Sequence, residues 1–301
     1  MPRRNLGTLI LIFLVGSSLL VLVLAGPGGP AAGRGPEVGV IRLEGAITAG
    51  GSAQDFFTSV SGSDRILSLL QEARRDPSIR AVVLRINSPG GSAAGAQEIA
   101  REVSRLREAG KPVVAAIADV GASGAYWVAC LTDLVVVNPG SLTGSIGVYI
   151  ETATLQELYR MLGMEFEIFK SGPHKDMGST RRPPTDEERA IFQGMVDDIY
   201  EQFVDVVAEG RGLQRERVLE LADGRVFTGR QAVALGLADR TGNFPQAVEE
   251  AAALAGLRAY RVRELGRRRP LERLLGAVET LAGSLHTLAR SVQSLIPGVG
   301  P

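Results

Sequence analysis

Short apolar runs alternate with amphipathic stretches along most of the chain. Val38–Leu43, Ala81–Ile86 (AVVLRI), Pro112–Ala118 (PVVAAIA) and Leu134–Val137 lack polar alternation, which predicts strands covered on both faces. Phe166–Phe169 predicts a further strand. Helices are predicted over Asp64–Arg75, stopped by Asp76-Pro77, and over Ser92–Ala109, closed by Gly110. A short helix runs through Tyr126–Ala129 and another covers Leu155–Leu162. Thr185–Glu209 is a long helix, with Thr185 as N-cap and Glu188 at the capping-box position. Strands and helices in this order predict an α/β fold. No stretch repeats within the chain.

The two ends follow other patterns. Leu6–Ala25 is twenty residues without charge, long enough to cross a bilayer. Arg3 and Arg4 precede it and place that end in the cytoplasm. A transmembrane anchor is the expectation, with everything after residue 26 outside. A cleaved signal peptide ending near Ala25 and a buried core helix are the alternatives. Residues 26–36 form a Gly/Pro linker, and 37–260 the folded domain. Residues 261–301 form a basic segment and an amphipathic tail. In that tail Leu271, Leu274, Val278, Leu281, Leu285, Leu288, Val292 and Leu295 line one helix face. The stripe suits a coiled-coil seam, a partner groove, a membrane surface or packing on its own domain. Arg267-Arg268-Arg269 before it suits anionic headgroups.

Charge sharpens this division. The chain's 301 residues carry 33 basic and 33 acidic groups, so the sum is zero. That excludes a uniformly basic nucleic-acid binder. Residues 1–35 carry +3 and residues 256–275 carry +5. Residues 276–301 balance, which leaves −8 on the middle. Of the basic residues only three are lysines: Lys111, Lys170 and Lys175. Cys130 is the single cysteine, so no intrachain disulfide forms. His174 and His286 are the only histidines, which excludes a His-rich zinc site.

Candidate chemistry lies in loops after strands. Asn87-Ser88-Pro89-Gly90-Gly91 precedes a helix, where glycines and free N–H groups suit an oxyanion hole or a plain turn. Asp119-Val120-Gly121-Ala122-Ser123-Gly124-Ala125-Tyr126 places a serine at the mouth of a helix. It is either a nucleophile elbow or an N-cap. Ser171-Gly172-Pro173-His174-Lys175-Asp176-Met177-Gly178-Ser179 is a polar loop. A lysine there is a general base only where burial favours its neutral amine; otherwise it is a solvated surface group. Ser141-Leu142-Thr143-Gly144-Ser145-Ile146-Gly147 offers hydroxyls that could hold such a lysine, or only turn chemistry.

Taken in order, N-S-P-G-G, G-A-S-G-A-Y-W, S-L-T-G-S-I-G-V, S-G-x-x-K-D-M-G-S and G-R-V-F-T-G-R-Q-A-V-A-L-G-L-A-D (224–239) resemble the bacterial signal peptide peptidase A family, in its short single-repeat form. The resemblance spans roughly residues 37–260. It implies a ClpP/crotonase-like fold and a Ser–Lys serine protease that uses no cofactor and no metal. By match of motif, Ser123 is the nucleophile, Lys175 the general base and Ser145 the lysine-orienting hydroxyl. The backbone N–H groups of Gly90 and Gly124 form the oxyanion hole. Ala125 stands where many relatives have glycine. His174 is loop context and not a triad member.

The resemblance also implies partners and place. The expected substrates are membrane-derived peptides, chiefly remnant signal peptides left after preprotein cleavage. The expected assembly is a dome-like homo-oligomer, with an octamer as its candidate form, beside the lipid bilayer. No nucleic-acid partner is expected. The expected location is the cell membrane, single-pass, with the catalytic domain on the extracytoplasmic side. The alternatives are a related protease that cleaves another membrane protein, an acyl-CoA enzyme of the crotonase fold and a non-catalytic membrane scaffold.

Overall fold

The computed structural model describes residues 35–50, 54–55 and 58–266. The anchor run Leu6–Ala25 and the apolar stripe from Leu271 lie outside them. Among the described residues no helix is long and apolar enough to cross a membrane.

The predicted apolar runs become a parallel sheet. β1 (Glu37–Glu44), β5 (Ile79–Ser88), β6 (Val113–Ala122) and β7 (Leu134–Val137) are neighbours in the order β7-β6-β5-β1. β10 (Arg240–Thr241) extends the β7 edge and β11 (Arg261–Glu264) the β1 edge, both parallel. Thus Arg261–Glu264, which read as the start of a basic segment, closes the sheet. The far end of β6 leaves this plane to pair with β8 (Leu142–Gly144), which pairs antiparallel with β9 (Val226–Thr228). A smaller sheet has β2 (Ala46–Thr48) beside β4 (Thr58–Gly62) and β3 (Gln54–Asp55).

Alternate side chains of the main strands go to opposite cores, as strand geometry requires. Val38, Val40, Ala81, Val83, Val114 and Ala116 pack on Ala247, Val248 and Ala251 of α8 (Phe244–Leu254). Their neighbours Val82, Leu84, Ile86, Val113 and Ile117 join the larger core. That core receives α1 (Ser63–Arg75) through Ile66 and Leu70, and α2 (Ala93–Glu108) through Ile99 and Val103. Burial on both faces explains why these runs show no polar alternation.

Helix boundaries follow local chemistry. Ser92 caps α2 by accepting from Gly95 N–H. Thr185 and Glu188 form both bonds of a capping box at the start of α5 (Asp186–Arg211), and Gly212 closes it in the left-handed region. Lys111 ends the C-terminus of α1: its ammonium donates to the carbonyls of Ala73 (2.7 Å) and Asp76 (2.6 Å).

One predicted element is absent. Phe166–Phe169 is not a strand, and no described strand pairs with it. A strand needs a partner for its backbone groups. Here the segment lies in an exposed arm, residues 148–184, in which only α4 (Gln156–Met161) is regular and buries no residue. The arm shows Tyr149, Met161, Leu162 and Phe169 to its surroundings, Tyr149 and Phe169 at 84% and 86% of full exposure.

Candidate active site

Ser123 follows the last residue of β6 and precedes α3 (Gly124–Cys130). Seven residues are too few for a helix to hold itself in water. α3 persists because every one of its side chains is buried. Trp127 stacks on Phe203 of α5 at 4.8 Å, and the Tyr126 hydroxyl donates to the Leu237 carbonyl at 2.8 Å. The short helix is thus pinned from two sides, and with it the residue at its mouth.

The backbone at that mouth is strained. Ser123 has φ 53° and ψ −127°, a region that L-residues rarely adopt. Among the described residues the other non-glycine with positive φ is Ser145, at 50°. The two are neighbours: Ala122 pairs with Gly144 at the end of the β6–β8 ladder, so the next residues are Ser123 and Ser145. Ser123 N–H donates to the Gly144 carbonyl at 2.8 Å, and Ser145 N–H to the Arg225 carbonyl at 2.9 Å. Two strained serines side by side, each over-determined by its surroundings, is a pattern found at functional sites. The strain turns the Ser123 side chain out of the helix's own capping geometry, and it caps no backbone N–H.

The Gly90–Gly91 turn closes over this pair. A Cβ added at Gly90 would lie 2.7 Å from Ser123 Cβ, Gly124 N and the Ala122 carbonyl. A Cβ at Gly91 would fall 2.2 Å from the Ile47 carbonyl. Both positions need glycine for close approach, besides their φ of 102° and 144°. Gly90 N–H donates to the buried Ser88 hydroxyl at 3.2 Å. Gly91 is exposed, and its N–H has no acceptor among the described residues. Gly124, as the first residue of α3, has no intrahelical acceptor for its N–H. The structure therefore brings together Ser123, Ser145, Gly124 and Gly90, with the open amide of Gly91 added.

Gly90→Ala tests this close approach. Its methyl group must displace Ser123 or Gly124, so peptide turnover should fall by about a hundredfold or more. Labelling by a serine-reactive probe should slow in parallel. Near-normal turnover by folded Gly90→Ala would place the turn away from the reacting atoms.

Lys175 stands apart. It lies in the arm, is exposed, and its ammonium makes no hydrogen bond or ion pair among the described residues. Within this single chain nothing joins it to Ser123 or Ser145. The other two lysines are engaged: Lys111 on α1, and Lys170 in an ion pair with Asp176 at 2.7 Å. Burial pushes the Cys130 thiol up to about 12, so it supplies no thiolate near neutrality.

Sequence reasoning did not reach the support of Ser145. The Arg225 carbonyl that holds it belongs to a turn in which Asp223 accepts from the Arg225 guanidinium at 2.7 Å, and Gly224 N–H donates to the Ile146 carbonyl at 3.0 Å. The signal was present as the G-R-V-F motif at 224–227, but nothing in it announces a main-chain role.

Comparison with known proteins places the chain in a family. Residues 105–258 match Peptidase family S49. A protein of Synechocystis sp. named as a protease is 45% identical over 177 residues, 59% of this chain and 64% of the relative. A protein of Enterococcus faecium named signal peptide peptidase SppA is 34% identical over 209 residues, 69% of this chain and 61% of the relative. A protein of Methanocaldococcus jannaschii named as a protease is 34% identical over 260 residues, 85% of this chain and 83% of the relative. The chain spans less than two thirds of the length of the first two.

Proposed function

Because the chain belongs to peptidase family S49, the family of signal peptide peptidase A, we propose that it is a membrane-anchored serine endopeptidase with Ser123 as nucleophile and Lys175 as general base. The observation that carries this reading is the strained elbow at Ser123, set against Ser145 and beneath the Gly90–Gly91 turn.

The neutral Lys175 amine takes the Ser123 hydroxyl proton while Oγ attacks a peptide carbonyl. The resulting oxyanion accepts from Gly124 N–H and from an amide of the Gly90–Gly91 turn. Lys175 passes its proton to the leaving amine as the C–N bond breaks. Water then repeats the sequence on the acyl-enzyme, and the serine is restored. Ser145 orients the amine. No step uses a cofactor.

The arm suggests how the lysine arrives. Lys175 is exposed in a segment that also exposes Tyr149, Met161, Leu162 and Phe169, a surface that suits a second copy of the chain. We infer that the copies form a homo-oligomer in which the arm of one copy brings Lys175 to Ser123 of its neighbour. Burial at that interface also supplies the apolar surroundings that favour a neutral amine. Mixing inactive Ser123→Ala and Lys175→Ala proteins tests this. Random assembly should restore about one quarter of wild-type turnover, because about one interface in four then holds both groups. No recovery from co-assembled copies sinks the shared site.

Remnant signal peptides fit as substrates. The apolar run Leu6–Ala25 behind Arg3 and Arg4 supports a single-pass anchor in the cell membrane, with the folded domain on the extracytoplasmic side of the bilayer. The name of the Enterococcus faecium relative supports the same substrate class. Accumulation of signal-peptide fragments in membranes of a deletion strain would bear this out. Accumulation of one intact membrane protein instead would favour the related protease reading.

A further inference from the structure

The arm that carries Lys175 has almost no apolar packing, yet one part of it is tightly built. Arg182 spreads its guanidinium between two carboxylates. Nε and Nη2 donate to Asp176 at 3.0 and 2.9 Å, and Nη1 and Nη2 donate to Glu188 at 2.7 and 2.6 Å. Glu188 is almost fully buried and Asp176 largely so. Asp176 also pairs with Lys170, whose ammonium donates to the Pro173 carbonyl at 2.9 Å. Glu188 accepts from Thr185 N–H at 2.9 Å, which ties the cluster to the first turn of α5.

Lys175 directly precedes Asp176 in the chain, and among the described residues its exposed ammonium pairs with no member of this knot. It follows His174, which lies 3.5 Å from Glu187, and precedes the twice-held Asp176. Three turns fold the loop around it, from Lys175 N–H to the Gly172 carbonyl, Met177 N–H to His174 and Ser179 N–H to Asp176. Where hydrophobic burial is lacking, charge-assisted bonds with matched fork geometry set a fixed shape. The four paired groups, Lys170, Asp176, Arg182 and Glu188, also sum to zero charge. Of the other charged groups nearby, Arg181 lies over the Phe166 ring and Glu187 beside His174.

We propose that Arg182, clamped between Asp176 and Glu188, is a positioning residue that fixes where Lys175 is presented and keeps the charge around it balanced. This rests on the reading of Lys175 as the general base. The clamp acts in two ways that separate experimentally. It holds the loop, which affects turnover. It also balances Asp176, which affects the pH at which the lysine amine becomes neutral. Removing the Arg182 charge leaves excess negative charge, favours the ammonium and moves the activity midpoint up. Removing the Asp176 charge does the opposite. A role in folding alone gives no such reversal of sign.

The test is the pH profile of Ser123 acylation by a fluorophosphonate probe, with kcat and KM for a chromogenic peptide measured on the same full-length oligomers. Arg182→Gln should lower kcat about tenfold or more with KM within about twofold, and raise the midpoint by about half a pH unit. Asp176→Asn should lower the midpoint by about as much. Arg182→Lys should return the midpoint to wild type while recovering only part of kcat, since an ammonium cannot fork. Opposite shifts in the first two variants support the proposal, and any other pair of results overturns it. Should Arg182→Gln not fold, Asp176→Asn decides alone: a downward shift supports the proposal, and an unchanged or upward midpoint overturns it. Lys175→Ala in the same assay keeps the two levels apart. If it retains turnover, the Ser–Lys reading falls. If it is inactive while the clamp variants behave as wild type, only the positioning role falls.

Discussion

Ser123→Ala should reduce peptide turnover by about 10⁵-fold or more, leaving only the residual rate that the oxyanion hole and substrate binding supply, with the fold intact. In the proposed mechanism the Ser123 hydroxyl is the group that forms the bond to substrate. Cys130 is buried with its thiol pushed up to about 12, so it offers no competing thiolate near neutrality. The substitution removes one oxygen and leaves the packing of α3 on Phe203 and the Leu237 carbonyl untouched. A thermal unfolding transition close to wild type should therefore accompany the loss. Alanine accepts φ 53° no more readily than serine does, so the strain is unchanged. Turnover within about a hundredfold of wild type would contradict the role of Ser123.

Lys175→Arg should be nearly as inactive as Lys175→Ala, both down by about 10⁴-fold or more. Arginine keeps the charge and most of the length, so it separates electrostatic presence from proton transfer. A guanidinium stays protonated through neutral pH and accepts no proton from serine. The same logic sets the sign of the pH dependence. The reactive form of the base is the neutral amine, so activity should rise from pH 6 to 9 wherever chemistry limits the rate. Lys111 is the control: it caps α1 away from the arm, so Lys111→Ala should keep turnover close to wild type, while Lys170→Ala, which loses a partner of Asp176, should still turn over measurably. A Lys175→Arg protein that cleaves a chromogenic peptide at a near wild-type rate would remove the lysine from the mechanism.

Much of the fold was legible because the central strands are covered on both faces. An unbroken run such as AVVLRI has no other comfortable place in a parallel sheet between helices. Helix limits were legible where side chains do the capping, as at Ser92 and Thr185. Phe166–Phe169 misled because composition reports that apolar groups seek cover, not what covers them. A buried strand and an exposed apolar stretch look alike in one sequence. β8 was read only as a loop, since three residues paired across the molecule carry no periodicity.

Part of the candidate site was legible in its residue types: the structure brings Ser123, Ser145, Gly90 and Gly124 together and leaves Lys175 apart. Spacing and motif order pointed to Ser123, Ser145, Lys175 and the glycines. The positive φ at two serines is invisible in sequence, because nothing but the tertiary fold imposes it. That nothing joins Lys175 to Ser123 within one chain was equally hidden, since motif order along a chain does not report spatial placement. The Arg182 clamp escaped because its partners sit six residues away on either side, across a loop and a helix start where no regular periodicity decides which side chains meet.

The most direct test of the Ser–Lys assignment is covalent labelling with a fluorophosphonate, read by intact mass and peptide mapping on the wild-type, Ser123→Ala and Lys175→Ala proteins. Wild type should take one adduct per chain, on Ser123. Ser123→Ala should take none, and Lys175→Ala should label slower by orders of magnitude at neutral pH. An adduct on another residue, or equal labelling rates with and without the Lys175 amine, would contradict the pairing of these two residues.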